Sequence, residues 1–160
     1  MMRLAFKSLA VVVAGLTLAG CEPNSTLLPI KTADGDVQLE AFVYRPATKG
    51  VSPTVIFSHG SAAGHPKASL PQTEIAKYFI EKGYVVVVLM RRGRGQSQGV
   101  SKEAEERNCD FAAWEPGLSQ AFDDITGTID YLKTVPFMDG KNYILAGTSR
   151  GGFLSTAYAA

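Results

Sequence analysis

Continuous apolar runs and helically periodic segments alternate along this chain. The segments PTVIFS at residues 53–58 and YVVVVLM at residues 84–90 are short, largely apolar and rich in strand-forming residues. A strand of this composition is typically covered on both faces, as in a parallel sheet. Residues 142–147, NYILAG, predict a third central strand of the same kind.

An alternating pattern comes before these runs. Residues 37–46, VQLEAFVYRP, are rich in strand formers and end at Pro46, which predicts a further strand. Residues 27–35, LLPIKTADG, predict its antiparallel partner, with Asp34 and Gly35 in the turn. The chain therefore has an N-terminal hairpin ahead of the continuous apolar strands.

Two segments between the predicted strands favour helices. In residues 70–83 one helical face carries apolar side chains, namely Leu70, Ile75, Phe79 and, at its margin, Tyr78. Gly83 suits the C-terminal end of that helix. Strands that alternate with helices predict an α/β fold with a mostly parallel sheet.

The second helix is predicted within residues 119–136, SQAFDDITGTIDYLKTVP. Its core-facing side chains are Phe122, Ile125, Ile129 and Leu132. Ser119 is the predicted N-cap, which would bring Asp123 and Asp124 near the positive end of the helix dipole.

The N-terminus has the pattern of an export signal. Basic residues precede a charge-free apolar run at residues 8–20, which is shorter than the roughly 20 residues of a transmembrane helix. Leu18-Ala19-Gly20-Cys21 resembles a bacterial lipobox, so we expect cleavage after residue 20 and lipid on Cys21. An ordinary signal peptide with an incidental cysteine is the alternative.

This interpretation divides the chain into a signal at residues 1–20, a tether at 21–28 and a domain at 29–160. It predicts a lipid anchor in the bacterial cell envelope, on the outer-membrane or periplasmic side. A hydrophobic content of 46% with 19% charged residues suits one globular domain, and the net charge of +1 gives no reason to expect nucleic acid.

The candidate chemistry lies near the C-terminus. Residues 147–151, Gly-Thr-Ser-Arg-Gly, match the G-x-S-x-G pattern between a predicted strand and a helix-compatible stretch. In that context a strained turn exposes the hydroxyl of Ser149 above the sheet. The alternative is a plain strand-to-helix turn that uses glycine and serine for geometry alone.

A second element, FSHGSAAG at residues 57–64, follows a predicted strand. In acyl-transfer enzymes of this architecture such a loop and the residue after the serine each supply a backbone N–H to the oxyanion. The candidates here are Ser61, or Ala62 beside it, and Arg150. We expect His59 and Gly60 to shape the loop, although His59 as the general base is an alternative, and His65 to be a solvated loop residue.

Together these pieces resemble the N-terminal half of an α/β-hydrolase, close to the dienelactone hydrolase and prolyl-oligopeptidase-like esterases and peptidases. The matching segments are VYRP, VIFSHGSAAG, VVVVLMRRGRGQSQG, AFDDITGTIDYL and YILAGTSRGG, which cover about residues 35–160 in the family's order. Dienelactone hydrolases use cysteine as the nucleophile, so Ser149 fits the esterase and peptidase branches better. RRGRGQSQG resembles the loop after the family's fourth strand rather than a nucleic-acid-binding segment.

The resemblance implies a serine hydrolase of a small-molecule ester or peptide, with Ser149 as nucleophile and no metal or cofactor. In the family the acid and the histidine follow later strands, and the residues after Ser149 include no His, Asp or Glu. Asp123 and Asp124 match no acid position. We therefore expect the 160-residue chain to be inactive alone and to expose an apolar edge at residues 142–146, unless a complementary C-terminal fragment covers it.

A different class of function stays open beside this one. The chain would then be a non-catalytic cell-envelope lipoprotein that uses a hydrolase-like fold for binding.

The lipobox makes a direct prediction about processing. Metabolic labelling with a fatty-acid probe in a bacterial host should mark the wild-type protein and leave Cys21→Ala unlabelled. Cys109→Ala is the matched control and should keep the label. Equal labelling of wild type and Cys21→Ala would contradict lipidation at this position.

Overall fold

The computed structural model describes residues 25–61, 67–103 and 111–160. The predicted signal, Cys21, Ala62, His65 and Cys109 lie outside the described residues. Within the described part, no helix has the length and apolar character needed to cross a membrane.

Five strands and three helices make up the described chain. The strands are β1 (Ser25–Thr32), β2 (Gly35–Tyr44), β3 (Ser52–Ser58), β4 (Val85–Leu89) and β5 (Met138–Gly147). The helices are α1 (Thr73–Ile80), α2 (Phe111–Leu132) and α3 (Arg150–Ala159). The strands lie in one sheet in the order β1-β2-β4-β3-β5.

The pairing of the strands confirms the predicted fold class. β1 and β2 form an antiparallel hairpin, β2 runs antiparallel to β4, and β3 runs parallel to both β4 and β5. Pairing begins at Ser25 with Phe42, so β1 includes residues 25–28 that were expected in the tether. Leu28 is buried in the core, which explains why residues of the predicted tether belong to the strand.

Helices cover the sheet on both faces. All five residues of β4 are buried, as its continuous apolar sequence predicts. One core cluster combines Leu39, Ile56 and Val87 with Leu132 of α2, and the other combines Phe57 and Val88 with Ala76 of α1. The sheet is therefore the middle layer of a three-layer fold.

The structure confirms most of the apolar face that was predicted for the helix within residues 70–83. Leu70, Ile75 and Phe79 pack against the core, whereas Tyr78 is 58% exposed and lies outside it. The regular helix is shorter than the predicted segment, and Gly83 follows its end with φ of +86°.

The predicted start of α2 was wrong. The helix begins at Phe111, so Ser119 lies inside it and is not the N-cap, and the two aspartates lie in its middle. Pro116 and Gly117 lie inside this helix, and packing requires the glycine, since a Cβ at residue 117 would lie 2.8 Å from the carbonyl oxygen of Lys102. Tertiary contact thus overrides the low helix propensity of this segment.

β5 occupies one edge of the sheet. In the described ranges it pairs with β3 alone, and Ile144 on it is 39% exposed. An apolar strand in this position presents backbone N–H and C=O groups that further chain could pair with.

Candidate active site

Ser149 sits at the junction between β5 and α3. Its backbone has φ of 50° and ψ of −123°, and Gln72 is the only other described non-glycine residue with positive φ. A serine in this conformation is strained by about 1–3 kcal/mol and must be held by its surroundings. The side chain is exposed, as the G-x-S-x-G pattern predicts.

The glycines on either side of Ser149 are required by close packing. A Cβ at residue 151 would lie 1.9 Å from the carbonyl oxygen of Ser58, and a Cβ at residue 147 would lie 2.4 Å from the carbonyl carbon of Gly151. The first turn of α3 therefore lies directly against the end of β3, which any side chain would prevent.

The loop after β3 lies beside the serine turn. A Cβ at Gly60 would lie 3.2 Å from the Cβ of Ser149, and the N–H of Thr148 donates to the carbonyl of Ser58 at 3.3 Å. The structure thus brings together the loop and turn segments that were predicted to form one site.

A cleft of about 430 Å³ opens at this junction. Its lining residues come from the loop, from α2 and from the serine turn: Ser61, Trp114, Ser149, Arg150 and Phe153. Ser61, Ser149 and Arg150 had been singled out in the sequence, whereas the two aromatic residues had not. Trp114 precedes residues 119–136, where the helix was predicted, so no helical periodicity singled it out.

His59 is buried behind the loop, away from bulk water. Its Nδ1 donates to the carbonyl of Gly60 at 2.7 Å, while its Nε2 accepts the backbone N–H of Arg91 at 3.4 Å. Burial, with the charge of Arg91, lowers the pKa of His59 to about 3. The neutral ring therefore bridges backbone groups and has both nitrogens engaged.

An ionic network connects this loop to the serine turn. The buried Arg91 donates through Nη1 to the carbonyl of His59 at 2.9 Å, and both its Nε and its Nη2 bind Glu103. Arg150 approaches the same carboxylate, with 3.4 Å between its Nε and Oε2 of Glu103. Burial alone would raise the pKa of Glu103, but Arg91 and then Arg150 lower it below its ordinary value.

The RRGRGQSQG segment is held from within the fold. Glu40, buried on β2, accepts hydrogen bonds from Ser69 Oγ at 2.7 Å and from the N–H of Gln96 at 2.9 Å. A Cβ at Gly95 would lie 1.9 Å from Oε2 of Glu40, so the glycine lets the loop reach the carboxylate.

Arg92 in the same segment forms a second buried ion pair. Its Nε donates to Oδ1 of Asp124 at 2.7 Å, and its Nη2 donates to Thr32 at 2.8 Å. Burial raises the pKa of Asp124 despite the opposing effect of Arg92. Asp124 therefore anchors α2 to the loop, which accounts for an acidic residue on the inner face of the helix.

Metal ligands are not clustered in the described ranges. No group of three or more His, Cys, Asp or Glu side chains there could hold an ion.

The amino-acid sequence matches a known protein family. The sequence model described as X-Pro dipeptidyl-peptidase (S15 family) matches residues 34–160. The quorum-quenching protein AidA of Acinetobacter baumannii (strain MDR-ZJ06) is 26% identical over 125 residues, which are 78% of this chain and 36% of that protein.

Solved structures agree on the fold. The α/β hydrolase GrgF of Penicillium sp. sh18 is 26% identical with a TM-score of 0.57, over 85% of this chain and 41% of that one. Acetyl xylan esterase 1 of Thermoanaerobacterium sp. JW/SL YS485 is 22% identical with a TM-score of 0.55, over 87% of this chain and 49% of that one. The chain thus spans between about a third and a half of the length of these relatives.

The neutral state of His59 predicts a specific pH dependence of stability. The unfolded chain binds a proton near the ordinary pKa of 6.5, whereas the folded chain does so only near 3. The contribution of neutral His59 to the free energy of unfolding is therefore complete above pH 6.5. It is lost as the pH falls because the unfolded chain takes up the proton first, and the loss is about 2 kcal/mol between pH 7 and pH 5.

Chemical unfolding of wild type and His59→Asn at the two pH values measures this difference. The variant should lose less stability on acidification, and His65→Asn, the control, should behave as wild type. Equal losses in all three would mean that His59 titrates normally in the folded protein, as a solvated base would.

Proposed function

Because this chain belongs to the X-Pro dipeptidyl-peptidase (S15) family of hydrolases, we propose that it hydrolyses a carboxylic ester or amide through Ser149. The strained, exposed backbone of Ser149 beside the loop at residues 59–61 is the observation that carries this proposal. Strain of this kind at a strand-to-helix turn is the signature of a nucleophile in this architecture.

The proposed reaction begins with attack of the Ser149 hydroxyl oxygen on the carbonyl carbon. The carbonyl π bond breaks as the new C–O bond forms, and the negative charge that develops on oxygen is stabilised by the backbone N–H groups of Ser61 and Arg150. The hydroxyl proton passes to a base and then to the leaving alcohol or amine, and water later releases the acyl group.

His59 is poorly suited to be that base. Both its nitrogens are engaged with backbone groups and its pKa is about 3, so we assign it and Gly60 to loop support. In this fold the acid and the histidine follow the serine along the chain. We infer that a later segment, in the same or a complementary chain, supplies them.

A second candidate is a binding protein that does not catalyse, which is favoured by His59, the only described histidine, having both nitrogens engaged with backbone groups. In either case we propose that Cys21 carries the lipid anchor and that the domain lies in the bacterial cell envelope. The substrate of the catalytic form would be a small-molecule ester or a peptide, because relatives with this fold include both esterases and peptidases.

Fluorophosphonate labelling tests the reactivity of the serine. Peptide mass spectrometry should find the label on Ser149 first, because the N–H donors retain on the order of 10³-fold acceleration even without a triad. For the 160-residue chain by itself the rate should still be far below that of a complete serine hydrolase, since His59, the only described histidine, has both nitrogens engaged with backbone groups.

Ser149→Ala should abolish this labelling, and Ser119→Ala, which removes an exposed serine of α2, should leave it unchanged. Labelling spread equally over several serines, or unchanged in Ser149→Ala, would contradict the proposed nucleophile. Labelling at the rate of a complete hydrolase would show that a local group activates the serine and would reopen the assignment of His59.

A further inference from the structure

Two aromatic side chains form the wall of the cleft next to Ser149. Trp114 of α2 and Phe153 of α3 meet edge to face, with ring centroids 6.3 Å apart and an angle of 86° between the rings. Both rings line the cleft, and Phe153 remains 50% exposed. The exposed part of the Phe153 ring is therefore apolar surface beside the candidate nucleophile.

The backbone fixes Phe153 relative to the nucleophile. The N–H of Phe153 donates to the carbonyl of Ser149 at 3.1 Å, so the two residues are one helical turn apart at the start of α3. Both side chains line the same cleft. A substrate whose carbonyl is at Ser149 can therefore reach the Phe153 ring without a long linker.

Arg150 also lines the cleft and contacts Trp114. Its guanidinium carbon lies 5.1 Å from the centroid of the indole ring, and its Nε faces Glu103. These contacts hold the Trp114 ring in place. Among the described residues, those that line the cleft are Ser61, Trp114, Ser149, Arg150 and Phe153, and none of them is a carboxylate.

We propose that this cleft is a subsite for an aromatic ring carried on the acyl side of the substrate, which deepens the function proposed above and rests on it. The two perpendicular rings offer one face and one edge, the geometry in which aromatic groups associate. The cleft of about 430 Å³ also has room. Benzene already fits in an apolar cavity of about 150 Å³.

Trp114 is the only tryptophan of the chain, so its fluorescence reports directly on this cleft. The probes are methyl benzoate, methyl cyclohexanecarboxylate and methyl acetate, titrated into the full chain carrying Ser149→Ala to prevent turnover. Methyl benzoate should change the emission saturably, the cyclohexane ester should bind more weakly, and methyl acetate should give no saturable change.

Phe153→Ala should weaken methyl benzoate binding about fivefold, the effect expected from the loss of one aromatic contact. Phe153→Leu keeps apolar volume and should also weaken binding while leaving the thermal melt close to that of the parent. Tyr78→Ala, which removes a similarly exposed aromatic ring on α1, should bind as the parent does.

Three results would overturn the subsite. They are equal binding of the benzoate and cyclohexane esters, unchanged binding in both Phe153 variants, and no saturable change with any probe. The assay needs no nucleophile, so failure of Ser149 labelling with intact ring binding would count against the hydrolase and not against the subsite. Labelling of Ser149 without saturable binding of the ring would count against the subsite and not against the hydrolase.

Discussion

The contact between the first turn of α3 and the end of β3 is the constraint on which the candidate site depends. There is no room for a side chain at residue 151, where a Cβ would lie 1.9 Å from the carbonyl oxygen of Ser58. Because α3 starts so close to the end of β3, the chain between β5 and α3 must turn within two residues. Ser149 therefore takes the strained conformation that exposes its hydroxyl. The same proximity brings Gly60 next to the serine.

Buried charge holds the second half of the site. Arg91 is fully enclosed at the end of β4, and an isolated guanidinium there would be costly, so Glu103 and the carbonyl of His59 surround it. The ion pair of Arg91 and Glu103 holds the loop at residues 59–61 through the hydrogen bond from Arg91 to the carbonyl of His59. The Glu103 carboxylate also contacts Arg150. His59 stays neutral in this setting because burial and the neighbouring Arg91 both disfavour its charged form.

Features encoded locally were predictable from the sequence. The buried strands β3 and β4 follow from continuous apolar runs, and the serine turn follows from small residues at fixed spacing around Ser149. α2 was predicted to begin too late because Ser119 has the side chain of an N-cap, whereas the close contact of Gly117 with the Lys102 backbone is a tertiary effect. Glu103 and Trp114 gave no local signal, since their partners are distant in sequence and meet only in the folded chain.

Whether packing at Gly151 sets the serine turn is tested most directly by the free energy of unfolding of Gly151→Ala compared with Gly152→Ala. A Cβ at residue 152 meets nothing closer than 3.1 Å, and alanine there improves helix propensity, so this variant should stay within about 1 kcal/mol of wild type. Gly151→Ala must push β3 and α3 apart and should lose about 3 kcal/mol or more. Equal stabilities of the two variants would mean that the strand and helix do not meet as described, and that the conformation of Ser149 has another cause.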